Sequence, residues 1–167
     1  MTHPFDRLPL DQTSNAGLIF TPCPGTKGTS VAEALATLQQ AGAAAVISLN
    51  PMTELESLHV ADLGAQVNSN GLQWFHCPIE DNHAPLDDFA AAWQQTGTLV
   101  HQLLNEGKTV AIHCKGGSGR TGLMAAQILL ERGNNKEIVK SIVQALRPYA
   151  LTLEPHVHYF NSLQEGQ

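Results

Sequence analysis

Cys114 and Arg120 have five residues between them in the run His113-Cys114-Lys115-Gly116-Gly117-Ser118-Gly119-Arg120-Thr121-Gly122, and three of those five are glycine. Glycine lets the backbone curl until several N–H groups point at one centre, and a centre lined in that way suits a tetrahedral dianion. Cys114 as a thiolate supplies a nucleophile at that centre. The planar guanidinium of Arg120 supplies a two-point clamp on phosphoryl oxygens. Lys115, Gly116, Gly117, Ser118 and Gly119 complete the phosphate cradle. Thr121 has a hydroxyl placed to donate to the sulfur when the thiol must leave again, and His113 is read as orienting the loop through hydrogen bonds rather than as a base.

Such a loop needs a strand before it and a helix after it. Thr109-Val110-Ala111-Ile112 is β-branched and apolar, as in a buried strand, and Leu123 to Leu130 is an apolar run of helical length. A helix starting near Arg120 aims its unpaired N–H groups and the positive end of its dipole into the loop, favouring a phosphate and a thiolate alike. A glycine-rich turn around a structural cysteine gives no reason for Cys, Arg and Thr at these offsets. A nucleotide-binding P-loop is set aside because the loop runs into Gly119-Arg120-Thr121, where that motif has Gly-Lys-Ser or Gly-Lys-Thr, and because the cysteine holds the functional place.

His-Cys-x5-Arg-Thr-Gly resembles the signature of the cysteine-dependent protein tyrosine phosphatase superfamily and matches it completely. The resemblance implies a dual-specificity phosphatase-like fold and hydrolysis through a phosphocysteine, with no metal or organic cofactor. Thr21 to Gly28 is similar to a segment of the kinase-associated phosphatases, the group named for cyclin-dependent kinase inhibitor 3, where a Pro-Gly follows the first strand. Related phosphatases commonly carry, in the last helix, a glutamine that positions the hydrolytic water; the register of Thr152 to His156 puts His156 there.

Thiolate attack on a phosphate ester expels an alkoxide or phenoxide, which leaves well only if an acid protonates it. The loop Pro78 to Pro85 offers Glu80, Asp81 and His83 and follows a strand expected to end at the same sheet edge as Cys114. It resembles the Pro-Ile/Phe-x-Asp loop of dual-specificity phosphatases, which selects Asp81. Asp87 and Asp88 are runners-up that the first turn of the next helix explains equally well. Lys115 is either a solvated loop cation or an added charge for an anionic substrate. It matches a lysine of phosphoinositide phosphatases, but Ser118 stands where those enzymes have a second basic residue, so phosphoprotein or small phosphoester substrates are favoured. The chain lacks the Lys-Asn-Arg-Tyr run that deepens the pocket of tyrosine-specific enzymes. The rivals are a silent phosphoprotein-binding module, which an intact Cys114, Arg120 and Asp81 argue against, and a rhodanese-type sulfurtransferase, whose loop is typically one residue shorter.

The remaining sequence bounds the setting. The 167 residues are read as one domain, 1–167, with a formal charge of −6. The nine lysines and arginines are scattered, which gives no nucleic-acid footprint. Without a charged-then-apolar leader or an apolar stretch of about 18 residues, no membrane is implied and the expected location is the cytoplasm. Three cysteines argue against a disulfide framework, and Cys23 and Cys77 are read as core residues.

In chain order, residues 1–16 read as a frayed start with a short edge strand, and Leu18 to Phe20 as the first firm strand. A helix with Ser30 and Glu33 at capping-box spacing carries Val31, Leu35 and Leu38 and stops at Gly42. A strand over Ala44 to Leu49 precedes a short helix with a second capping box at Thr53 and Glu56. Another helix covers Val60 to Val67, and Asn70-Gly71 turns the chain into a strand over Trp74 to Cys77. Phe89, Trp93, Val100, Leu103 and Leu104 mark one face of a long helix, with Gly97 a blemish and Gly107 its stop. After the signature, one helix carries Ile138, Val139, Ile142, Val143 and Leu146, and Pro155 opens a last one with Val157, Phe160 and Leu163. Strands alternating with helices predict an α/β fold, with a central mostly parallel sheet of four to five strands flanked by helices on both faces and the site at the strands' carboxyl ends.

Overall fold

The structure is a computed structural model and describes residues 1–165. Strands β1 (Asp6–Pro9), β2 (Gly17–Thr21), β3 (Ala43–Ser48), β4 (Gln73–His76) and β5 (Thr109–His113) form one sheet in the order β1-β2-β5-β3-β4. Only the edge strand β1 is antiparallel to its neighbour. The helices are α1 (Val31–Gln40), α2 (Met52–Ser57), α3 (Leu63–Ser69), α4 (Asp87–Asn105), α5 (Gly119–Glu131), α6 (Lys136–Leu146) and α7 (Glu154–Ser162). This is the α/β architecture the sequence predicts.

Side chains alternate across each strand, so one sheet separates two cores. Leu18, Phe20, Ala45, Ile47, Val110 and Ile112 face Phe89, Val100 and Leu104 of α4 and the length of α5. Ile19, Val46 and Ala111 face Leu35 and Leu38 of α1 and Leu63 and Val67 of α3. Ala43 shares the second face with Val46 although three positions apart, because the β3–β5 register shifts between Ala43 and Ala45 and the bulge resets the alternation. Every residue of the central β5 is buried, as is every residue of α5 from Arg120 to Leu130, which accounts for the apolar run from Val110 to Ile112 and for the one from Leu123 to Leu130, broken only by Gln127.

Several local expectations are corrected. The expected short edge strand forms as β1, paired with β2 from Asp6 to Pro9, but the start before it is anchored rather than frayed, with His3 buried and its Nε2 2.7 Å from Thr21 Oγ1. The Ser30–Glu33 capping box forms at α1, but the one at Thr53 and Glu56 does not. Pro51 caps α2 without a side-chain bond, and both residues are exposed. The next helix begins at Leu63 rather than Val60. Gly97 is a packing residue, since a Cβ there would lie 3.0 Å from the indole of Trp93. Ile138 is 48 % exposed and does not join the core face of α6. The triplet Gly107-Lys108-Thr109 enters β5 and so cannot be a nucleotide loop, which would leave a strand for a helix.

Candidate active site

β2, β3, β4 and β5 end together: Thr21 pairs with His113, and Ser48 with both His113 and His76. The chain leaves β5 at His113, turns through the glycine-rich run and enters α5 at Gly119. Cys114 is 4 % exposed, and two donors aim at its sulfur, the Gly117 N–H at 3.3 Å and the Thr121 hydroxyl at 3.2 Å. Gly117 takes φ +80, and an added Cβ would lie 2.5 Å from the carbonyl carbon of Thr21, so the curl of the loop requires glycine here on two counts.

His113 lies beneath the loop with no exposure. Its Nδ1 sits 3.1 Å from the Cys114 carbonyl oxygen, which can only accept, so this nitrogen carries the proton. Nε2 then accepts from Ser48 Oγ at 2.5 Å, and Ser48 in turn accepts from Trp74 Nε1 at 2.8 Å. The chain Trp74–Ser48–His113–Cys114 ties the ends of β3, β4 and β5 together. Burial, against the hydrogen bond to Cys114, pushes the His113 imidazole down to about 4, and neighbouring His3, Arg120 and His76 add to the effect. It is therefore neutral near pH 7, with its Nδ1–H on the Cys114 carbonyl of the loop.

Arg120 is 3 % exposed and meets the Glu54 carboxylate through two parallel contacts, Nη1 to Oε1 at 2.8 Å and Nη2 to Oε2 at 2.9 Å. Nη1 also donates to the Ile79 carbonyl at 2.9 Å, and Nη2 lies 3.4 Å from Asp81 Oδ1. Burial by itself would raise the Glu54 carboxyl, but the hydrogen bonds and charge of Arg120 outweigh it and hold the group below its ordinary value. Asn50 Nδ2 donates to the same carboxylate at 2.6 Å. Glu54 is not marked by the sequence pattern, in which its neighbours Thr53 and Glu56 have the spacing of a capping box. The available signal is that a buried arginine in the first turn of α5 needs a carboxylate, and α2 follows β3 at the same sheet edge.

The Pro78 to Pro85 loop is held by its own backbone. Ile79 bonds Leu49 through its N–H and Arg120 through its carbonyl, Asn82 turns with φ +64, and His83 Nδ1 bonds the Asp81 carbonyl at 2.7 Å. His156, buried on α7, reaches the His83 carbonyl through Nε2 at 2.9 Å. A carbonyl accepts only, so Nε2 carries the proton and Nδ1 the lone pair. Burial lowers the His156 imidazole below its usual value, with Arg120 adding to this and the His83 bond and Asp81 opposing it.

One cavity of about 510 Å³ gathers Asp81, Cys114, Lys115, Gly116, Ser118, Gly119, Arg120 and His156. Thr121, Gly117 and His113 are buried and do not line it. Asn82, Tyr149, Thr152 and Leu153 also line it and were not singled out from the sequence. A slightly larger cavity, about 580 Å³, runs beside Trp93, His101 and Glu131 on α4 and α5, away from these groups. The Glu131 carboxylate there already accepts from Trp93, His101 and Gln127, which marks that cleft as a structural network. Cys23 and Cys77 are buried and free; burial, then the nearby Glu54 and Cys114, pushes the Cys23 thiol up to about 12. Among the described residues no group of three or more His, Cys, Asp or Glu is arranged to hold a metal ion.

A Cys-x5-Arg loop between the central strand of such a sheet and a buried helix defines a phosphatase of the dual-specificity and protein tyrosine type. The chain belongs to the family described as "Polymorphic toxin system, DSP-PTPase phosphatase", whose model matches residues 23–134. Cyclin-dependent kinase inhibitor 3 of Rattus norvegicus is 38% identical over 77 residues, covering 46% of this chain and 35% of that protein, so the match spans about a third of the relative's length. The crystal structure of kinase associated phosphatase with serine substituted for its catalytic-site cysteine superimposes with a TM-score of 0.83 at 22% identity, covering 96% of this chain and 93% of that one. Tk-PTP in its active form gives 0.66 at 25% identity, covering 87% and 90%. No helix among the described residues is long and apolar enough to cross a membrane.

Proposed function

We propose that the chain, acting as a single domain over 1–167, is an active cysteine-dependent phosphatase that hydrolyses phosphotyrosine and also phosphoserine and phosphothreonine esters without a metal. The observation that carries this reading is that Cys114, Arg120 and Asp81 border one cavity of about 510 Å³. Arg120 commits both hydrogens of Nη1 and one of Nη2 to Glu54 and Ile79, leaving its Nε–H and the other Nη2 hydrogen for two oxygens of a phosphoryl group.

In the first step the Cys114 thiolate attacks phosphorus, the bond to the ester oxygen breaks, and Asp81 gives that oxygen its proton. In the second, water attacks the phosphorus of the phosphocysteine. Asp81, now a carboxylate, takes a proton from the water, and the S–P bond breaks to return the thiolate. Thr121 steadies that thiolate by the bond it already makes. His156 stands where relatives carry a glutamine, and its Nδ1 lone pair gives the water an acceptor. The backbone N–H groups of the loop and Arg120 hold the charge of the transferring group. Lys115, exposed at the rim, adds positive charge for an anionic protein substrate. A chain charge of −6 with no basic stripe supports a phosphoprotein or small phosphoester in place of a nucleic acid, and a cytoplasmic, reducing setting suits a free thiolate.

A panel of phosphotyrosine, phosphoserine and phosphothreonine peptides and phosphoinositides, assayed with chelator present, tests this reading. Turnover of phosphopeptides above phosphoinositides is expected. Lipid turnover alone would move the assignment to a phosphoinositide phosphatase, and binding without turnover to a silent recognition module.

A further inference from the structure

Arg147, the residue after α6, lies outside the signature and outside the cavity, yet its guanidinium is spent on the loop. Nε donates to the Gly117 carbonyl at 2.8 Å, Nη1 to Asp6 Oδ2 and the Leu146 carbonyl at 2.8 and 2.9 Å, and Nη2 to the Phe20 carbonyl at 3.4 Å. The group lies 5.6 Å from the centroid of the Phe20 ring and its side chain is 15 % exposed. β1, the end of β2 and the back of the phosphate loop therefore meet on one cation.

We infer that Arg147 is a positioning residue that fixes the Gly117–Ser118 peptide so that the Ser118 N–H is presented to the phosphoryl site. The peptide is planar and trans, so its carbonyl oxygen and its N–H point in opposite directions. Arg147 draws the Gly117 oxygen to the outside of the loop, which turns the Ser118 N–H inward, and Ser118 lines the cavity beside Cys114 and Arg120. Gly117 has no side chain to resist a flip of this peptide. Its φ of +80 is held from outside instead, by the packing of Gly117 on Thr21 and by the cation. The charge on Arg147 also polarises the peptide and strengthens its N–H as a donor. Asp6, on the edge strand β1, fixes the cation from the far side, which gives the start of the chain a purpose at the site. Lysine offers one point where this geometry uses three directions, so it is not an equivalent replacement. The inference rests on the phosphate-cradle reading of the loop, but its test does not depend on turnover.

Amide spectra of the unliganded protein supply the independent readout. In Arg147→Met the Gly117 and Ser118 amide resonances should move while those of β3 and β4 stay, and vanadate affinity should fall about tenfold or more, the loss expected when one hydrogen bond to a charged group is weakened. Arg147→Lys should recover only part of this. Asp6→Asn, an exposed change, should shift the same two resonances by less and weaken vanadate a few-fold, and it decides the matter if Arg147→Met does not fold. Unchanged Gly117 and Ser118 resonances with wild-type vanadate affinity in folded variants, whatever the thermal midpoint, would overturn the role. If the wild type itself fails to bind vanadate, the cradle reading falls, while the resonance shifts still show whether Arg147 sets the peptide.

Discussion

Glu54 grips Arg120 along the whole Nη edge, with contacts of 2.8 and 2.9 Å, from a helix that precedes it by 66 residues. The pair orders the guanidinium before any substrate arrives, which moves the entropic cost of clamping an anion into the folding of the protein.

Glu54→Ala should therefore harm both stability and binding. Removing one partner from a buried pair costs about 3 to 5 kcal/mol because the other charge is left uncompensated. Glu54 itself keeps some solvent access, 17 % for its side chain, so the low end is expected. Denaturant unfolding measures the first effect and vanadate affinity the second. Glu54→Gln should restore much of the shape and recover part of the affinity, and a wild-type affinity in Glu54→Ala would show that Arg120 needs no preordering.

Stability should fall as the medium is acidified below neutrality. His113 is held at about 4 in the fold against an ordinary 6.5, so the unfolded chain takes up this proton first. Stability is intact above about 6.5 and drops by about 3 kcal/mol on the way to about 4. Glu54 acts further down: its folded value lies under the ordinary 4.5, so its contribution holds above that and is lost as pH falls through the depressed value. Unfolding free energy measured from pH 7.5 to 4 should show the first slope, and His113→Gln should flatten it.

Asp81→Asn should separate leaving groups. A nitrophenolate departs with little help, whereas the tyrosine phenoxide, and still more the serine alkoxide, must be protonated as the bond breaks. General acid catalysis is typically worth 10² to 10⁴ in rate, so the loss should be greatest on phosphopeptides and least on activated aryl phosphates. Equal losses in the first-turnover burst would make Asp81 structural and turn attention to Glu80 or Asp87.

The loop that carries the proposed chemistry is legible because it is local: the candidate nucleophile, cradle and clamp sit in one run, and the strand and helix on either side have strong apolar patterns. The sheet and both layers of helices followed from the same patterning. What escaped is what folding alone brings together. Glu54 sits among exposed positions of a six-residue helix, too short for a periodic signal. Arg147 looks like the end of α6, and His3 and Asp6 look like a polar start, until β1 docks on β2 and places Asp6 2.8 Å from Arg147. Tyr149, 86 % exposed at the cavity mouth, is in a turn whose direction no propensity gives. The Thr53–Glu56 capping box failed for a related reason, since Pro51 already fixes the helix start.

The nucleophilic role of Cys114 is tested most directly by trapping the first step. A phosphotyrosine peptide labelled in its phosphoryl group is mixed with the protein, quenched within the first turnover at a pH that preserves thiophosphate esters, and digested. Labelled phosphate is expected on the peptide that contains Cys114, forming in step with release of the dephosphorylated product. Cys114→Ser should bind vanadate yet give neither label nor turnover. Turnover in the wild type with no label at Cys114, or turnover persisting in Cys114→Ser, would contradict the phosphocysteine mechanism.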